Sequence, residues 1–238
     1  MTRAGGALAM LLAVASPLSA QTKADPTDKF RQLEEMLPTP NDQRTASGAP
    51  GRAYWQQRAD YEIDVELDDA RQRITGRETV TYLNQSPDAL SCLWLQLDQE
   101  LFRQDSDTKL TQTAPSLERP SFGVLDTLVN NDFDGGFQIA GVRDQAGRPL
   151  AHTIVKTMMR IDLPAPLPAG GRVVFGVDWS YNINDARRQG GRSGYEFFPK
   201  DGNYIYEIAQ WFPRLAAYND VSGWQHKQFL GSGEFTLE

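Results

Sequence analysis

Cysteine, histidine and clustered basic charge are all scarce in this chain, and each scarcity closes off a class of function. Cys92 is the single cysteine of 238 residues, so no disulfide can form within the chain. It stands in the apolar run LSCLWLQL, with no base or cation close by in sequence to activate a thiolate, and reads as a buried core thiol. The two histidines, His152 and His226, are 74 positions apart, and neither has a histidine one helical turn away. A zinc site of the HExxH kind requires two imidazoles at that spacing with a glutamate between them, and the pattern is absent. His152 falls in an alternating strand and His226 in a loop beside Lys227, so structural roles are expected for both. Lysine and arginine total 24 against 31 acids, a net charge of -7, which leaves no basic face for a nucleic acid.

No long apolar run occurs either. The longest, Ala7 to Val14, follows Arg3 and precedes Pro17-Leu18-Ser19-Ala20, well short of the ~20 residues that span a membrane. A basic start, a short apolar stretch and small residues before Gln21 form the pattern of a secretory signal over residues 1–20. The expectation is cleavage after Ala20 and an exported, periplasmic or secreted protein; a buried helix or an uncleaved anchor is the alternative. Over residues 21–51, Asp25-Pro26-Thr27-Asp28 caps a short amphipathic helix through Phe30, Leu33, Met36 and Leu37. Pro38 and Pro40 end it, and NDQRTASGAPG has the composition of a polar arm lying over a surface.

What the chain has in quantity is β pattern, over residues 52–238. Tyr61, Ile63, Val65 and Leu67 alternate with acids, Asp68 to Arg71 turn, and ITGRETVTYLN answers as the second strand of a hairpin. Leu90 to Leu97 is a continuous apolar strand suited to the middle of a sheet. Residues 104–121 are polar and read as loop. FQIAGVRD, PLAHTIV, MMRIDL and RVVFGVDWSYNI give further strands, with Pro164 to Gly171 read as a connection. The fold class is therefore all-β: an antiparallel β-sandwich or saddle-like twisted sheet with a short N-terminal helix. The last residues, Glu234 to Glu238, alternate as a strand that no turn closes, and further sequence beyond them is expected.

Three local patterns invite chemistry. Asn130 to Gly135 spaces oxygen side chains as a calcium loop does, but the twelfth position is Gly141, and an Asx-rich turn explains the run. Arg187 to Gly194 could cradle an anion but matches no nucleotide fingerprint, and a loop closing over a neighbouring domain fits it better. Asn84-Gln85-Ser86 is a glycosylation triplet followed at once by Pro87, and carries no role. Aromatic residues crowd the stretch from Tyr195 to Phe235, either as core or as an interface.

Three stretches, AYWQQRADYEIDVELD, NQSPDALSCLWLQLDQELF and GGRSGYE with DGNYIYEIAQWFPRLAAYNDVSGWQHKQFLGSGEF, together resemble the N-terminal domain of bacterial M1-family zinc metallopeptidases, the aminopeptidase N-like group. The resemblance implies a β domain packed on a thermolysin-like catalytic domain that is its partner. It also implies a zinc cofactor held wholly by that second domain, and a peptide substrate cut at its amino terminus. In that family a glutamine or glutamate near the end of the N-terminal domain binds the substrate's amino group. Gln210, within EIAQWFP, occupies the matching place, with Ala209 where many members have threonine, and Glu207 is the second candidate. No residue of this chain takes a catalytic or metal-binding role. The alternative from another class is a free-standing secreted β-sandwich that binds a protein or carbohydrate through its aromatic face.

Overall fold

The computed structural model describes residues 40–111, 113, 118–129, 132–189 and 192–231. The signal-like segment, the expected N-terminal helix and the final strand lie outside them.

Alternation builds the first sheet. β1 (Arg58–Asp68) and β2 (Arg73–Leu83) pair antiparallel through eleven consecutive residues, Arg58 opposite Leu83 and Asp68 opposite Arg73. Asp68 closes the turn by accepting from the N–H groups of Ala70 and Arg71, and Gln72 takes the left-handed conformation that ends it. β2 pairs in turn with β7 (Arg172–Asn182), and β7 with β4 (Gln138–Asp144), giving the order β1-β2-β7-β4.

The second sheet has the order β10-β3-β6-β5, from β3 (Leu90–Gln96), β5 (His152–Val155), β6 (Met158–Leu167) and β10 (Arg214–Leu215). The apolar strand Leu90–Gln96 is internal to it, as its composition leads one to expect. The two sheets share one core: Val80, Tyr82, Phe175 and Trp179 from the first meet Leu93, Leu95, Met159 and Ile161 from the second. This is an antiparallel sandwich. Smaller pairs complete it, β8 (Ser193–Phe198) with β9 (Asn203–Ile208), and β11 (Tyr218–Asn219) with β12 (Gly223–Trp224).

Two stretches depart from the sequence reading. Pro164 and Pro166 lie inside β6 and not in a connection, because the register slips there: Cys92 faces Asp162 while Leu90 faces Leu167, so the intervening residues bulge and need donate no ladder hydrogen bond. The stretch read as loop contains a short helix, Asp107–Thr111, and is followed by a second, Phe122–Val129. Ser106 and Ser121 each present a hydroxyl to the N–H three residues on, which is what starts these turns.

The polar arm is pinned down. Arg44 bonds both carboxylate oxygens of Asp220 at 2.9 and 2.8 Å and lies over the ring of Tyr54, tying residues 41–51 to the segment after β11.

Candidate functional site

Glu207 is exposed on β9, opposite Gly194 of β8. Gln210 lies two residues beyond the end of β9, half-buried, with φ of 51°. Of the three non-glycine residues with positive φ among the described residues, Gln72 and Lys156 sit in hairpin turns, whereas Gln210 sits between the β8–β9 hairpin and the edge strand β10. Left-handed backbone costs a residue with a side chain about 1 kcal/mol, so something must hold it there.

Side chains from both sheets do so. Gln99, in the 3-10 turn Asp98–Phe102 that follows β3, donates from Nε2 to the carbonyls of Ala209 and Gln210 at 3.0 and 3.3 Å. The hydroxyl of Tyr181 on β7 donates to the carbonyl of Trp211 at 3.0 Å, and that of Tyr61 on β1 accepts from the N–H of Leu215 at 2.9 Å. Arg214 forms an ion pair with Asp98, whose side chain is 2% exposed. Burial pushes Asp98 above the ordinary carboxylate value, and Arg214 pulls it only part of the way back. The side-chain amide of Gln210 itself has no hydrogen-bond partner among the described residues.

Sequence reasoning missed the polar floor beneath this segment. Asp98, Gln99 and Glu100 are 1%, 3% and 5% exposed, although a polar run directly after an apolar strand reads as surface. Glu100 faces a cavity of about 320 Å³ that Arg103, Phe137, Lys156, Thr157 and Phe229 also line. Burial raises its pKa to about 7, opposed by Arg103 at 3.4 Å. A second cavity, about 530 Å³, is lined by Asp132, Asp134, Asn182, Asp185, Arg188 and Tyr195, and so joins the calcium-like and arginine-rich segments. Its acids are engaged locally: Asp134 accepts from the N–H of Gln104, and Asp185 from that of Arg187. Asn130, Asn131, Gly190 and Gly191 lie outside the described residues, and Arg187 is tied to Glu196 at 2.8 Å.

Neither histidine is placed as a zinc ligand. His152 is held by the carbonyl of Leu150 and His226 packs edge-on against Trp94. Among the described residues no three His, Cys, Asp or Glu side chains converge on a metal position. Cys92 is half-buried, less enclosed than its run implies, and burial raises its pKa, which makes it a poor nucleophile. Asn84 is wholly buried and donates to the carbonyls of Asp88, Leu167 and Pro168, a structural role that leaves no room for a glycan.

No protein family and no curated protein matches the chain in sequence. Among solved structures it is similar to an M1 zinc metallopeptidase from Deinococcus radiodurans, at 10% identity and a TM-score of 0.36, over 72% of this chain and 28% of that one. A mutant of that enzyme bound to a Tyr-Ser-Ala substrate aligns at 11% identity and a TM-score of 0.36, over 74% and 29%. The chain thus spans less than a third of the length of these enzymes. At such TM-scores the likeness carries no weight for what this chain does. Among the described residues no helix is long and apolar enough to cross a membrane.

The aromatic crowd after Tyr195 divides in two. Tyr195, Tyr206, Trp211, Phe212 and Trp224 pack against the core, whereas Phe197, Tyr204 and Ile205 on the β8–β9 hairpin are exposed at 39%, 37% and 59%.

Proposed function

We propose that the chain is the non-catalytic N-terminal β domain of an exported M1-like zinc aminopeptidase, and that Gln210 is its contribution to substrate binding. The observation that carries this reading is the conformation of Gln210: strained backbone, anchored carbonyl and an amide without a partner, in the stretch where the sequence resemblance is densest. With its backbone fixed in that way, the unengaged side-chain amide oxygen of Gln210 can accept a hydrogen bond from a peptide's α-ammonium group, and a fixed backbone leaves less entropy to be lost on binding. Glu207, exposed on β9 three residues earlier, is the second candidate for this contact. In this reading zinc and the groups that activate water belong to a separate catalytic domain, and this chain aligns and retains the substrate.

The test is to read the coding sequence past codon 238 and assay the whole enzyme. An HExxH motif, with KM for aminoacyl substrates raised about tenfold by Gln210→Ala at little change in kcat, is the expected result. A stop codon there would favour the second reading, a secreted β-sandwich that binds a protein or carbohydrate partner. The exposed Phe197 and Tyr204, cross-strand partners in the β8–β9 register, supply an aromatic face for it, with Ile205 exposed on the opposite side of the hairpin.

A further inference from the structure

We infer that Gln99 is a positioning residue for Gln210. The inference rests on the reading of Gln210 as the amine-binding residue and adds to it the group that makes the residue competent. Gln99 is 3% exposed, so its amide has exchanged water for protein partners and must find them. Its Nε2 finds two consecutive carbonyls, those of Ala209 and Gln210, at the residue where the chain turns left-handed. Fixing both carbonyls fixes the peptide plane between residues 209 and 210 and the one after it. With those planes set, the direction in which the Cα–Cβ bond of Gln210 leaves the backbone is set as well.

The surroundings leave Gln99 with this task and few others. Its neighbour Asp98 is taken up by Arg214, four residues beyond Gln210, so the same short turn grips the segment on both sides of the proline Pro213. Ala209 is further held through its N–H, which donates to the carbonyl of Arg192 at 3.0 Å. Among the described residues nothing comparable is attached to the side chain of Gln210, whose amide stays available while its backbone does not.

Two measurements test this, one independent of any activity. In the 238-residue chain, a double-mutant cycle pairs Gln99→Met, which keeps the volume and removes the donor, with Gln210→Gly, which accepts positive φ without strain. Gln99→Met should lower the folding equilibrium constant about tenfold with glutamine at 210 and only two- to threefold with glycine there. Equal losses in both backgrounds would overturn the inference. In the full-length peptidase, Gln99→Met and Gln210→Ala should each raise KM for an aminoacyl p-nitroanilide about tenfold with kcat nearly unchanged, and the double variant should be no worse than either. A shift with Gln210→Ala but none with Gln99→Met overturns the positioning role and leaves the amine-binding reading intact. No shift with either overturns that reading and, with it, this inference.

Discussion

The indole of Trp179 lies across Gly76, so that a β-carbon at position 76 would come within 2.2 Å of its Cζ2 atom. The two residues are direct partners in the β2–β7 register, and the absent side chain of one is the space occupied by the other. Gly76→Ala should therefore destabilise the sandwich by about 3 kcal/mol, since a wholly buried indole cannot yield to it. Urea unfolding of the two proteins checks this, and a change below about 0.5 kcal/mol would contradict it.

Beside that indole stands a carboxyl group. Glu78 is completely buried on the inward face of β2, and neither of its oxygens nor the Trp179 N–H has a hydrogen-bond partner among the described residues. Burial raises its pKa from 4.5 to about 9, and the neighbouring indole opposes the shift without cancelling it. The native state thus keeps a proton that the unfolded chain releases above pH 4.5, so the stability is full below that value and is lost as pH rises towards 9. Between pH 7 and 9, where Glu100 no longer contributes, the slope should approach about 1.4 kcal/mol per pH unit, and Glu78→Gln should remove it. Unfolding curves at several pH values decide the matter; an unchanged slope in the variant would show that another group is responsible.

Glu100 titrates in a narrower window. Its folded pKa of about 7 against 4.5 means that its share of stability is full below 4.5 and gone once pH passes 7. Glu78 titrates between those limits as well, so Glu100→Gln should roughly halve the slope there and leave the fall from pH 7 towards 9 in place. The two variants measured side by side separate the two groups.

Asn84 closes the junction between sheets. It accepts from Gln57 Nε2 and from the Ser86 hydroxyl, and donates to the carbonyl of Asp88 in the β2–β3 connection and to those of Leu167 and Pro168 at the β6–β7 connection. Asn84→Ala should cost about 3 kcal/mol, because several buried partners are orphaned together. Differential scanning calorimetry would register this as a fall in Tm, and a wild-type Tm would refute it.

Much of the fold is legible in the sequence because period two is a local property. Tyr61, Ile63, Val65 and Leu67 declare β1 without reference to any other strand. Pro164 and Pro166 misled because proline forbids a ladder bond only where one is made, and the bulge that excuses them depends on the partner strand β3. Glu78 was visible in principle, since it shares the inward phase of β2 with Ile74, Val80 and Tyr82. The site is less legible. Gln210 is picked out by resemblance alone, and Gln99 not at all, because a side-chain amide that bonds carbonyls 110 and 111 positions away leaves no local pattern.

The segment from Ala209 to Leu215 is riveted to both layers of the sandwich: Gln99 and the β10–β3 pairing fasten it to one, Tyr61 and Tyr181 to the other. A slip of either layer against the other must therefore strain this strip of backbone, which makes Gln210 a gauge of how the two sheets sit. A ligand that grips its amide would, by the same linkage, stiffen the sandwich as a whole.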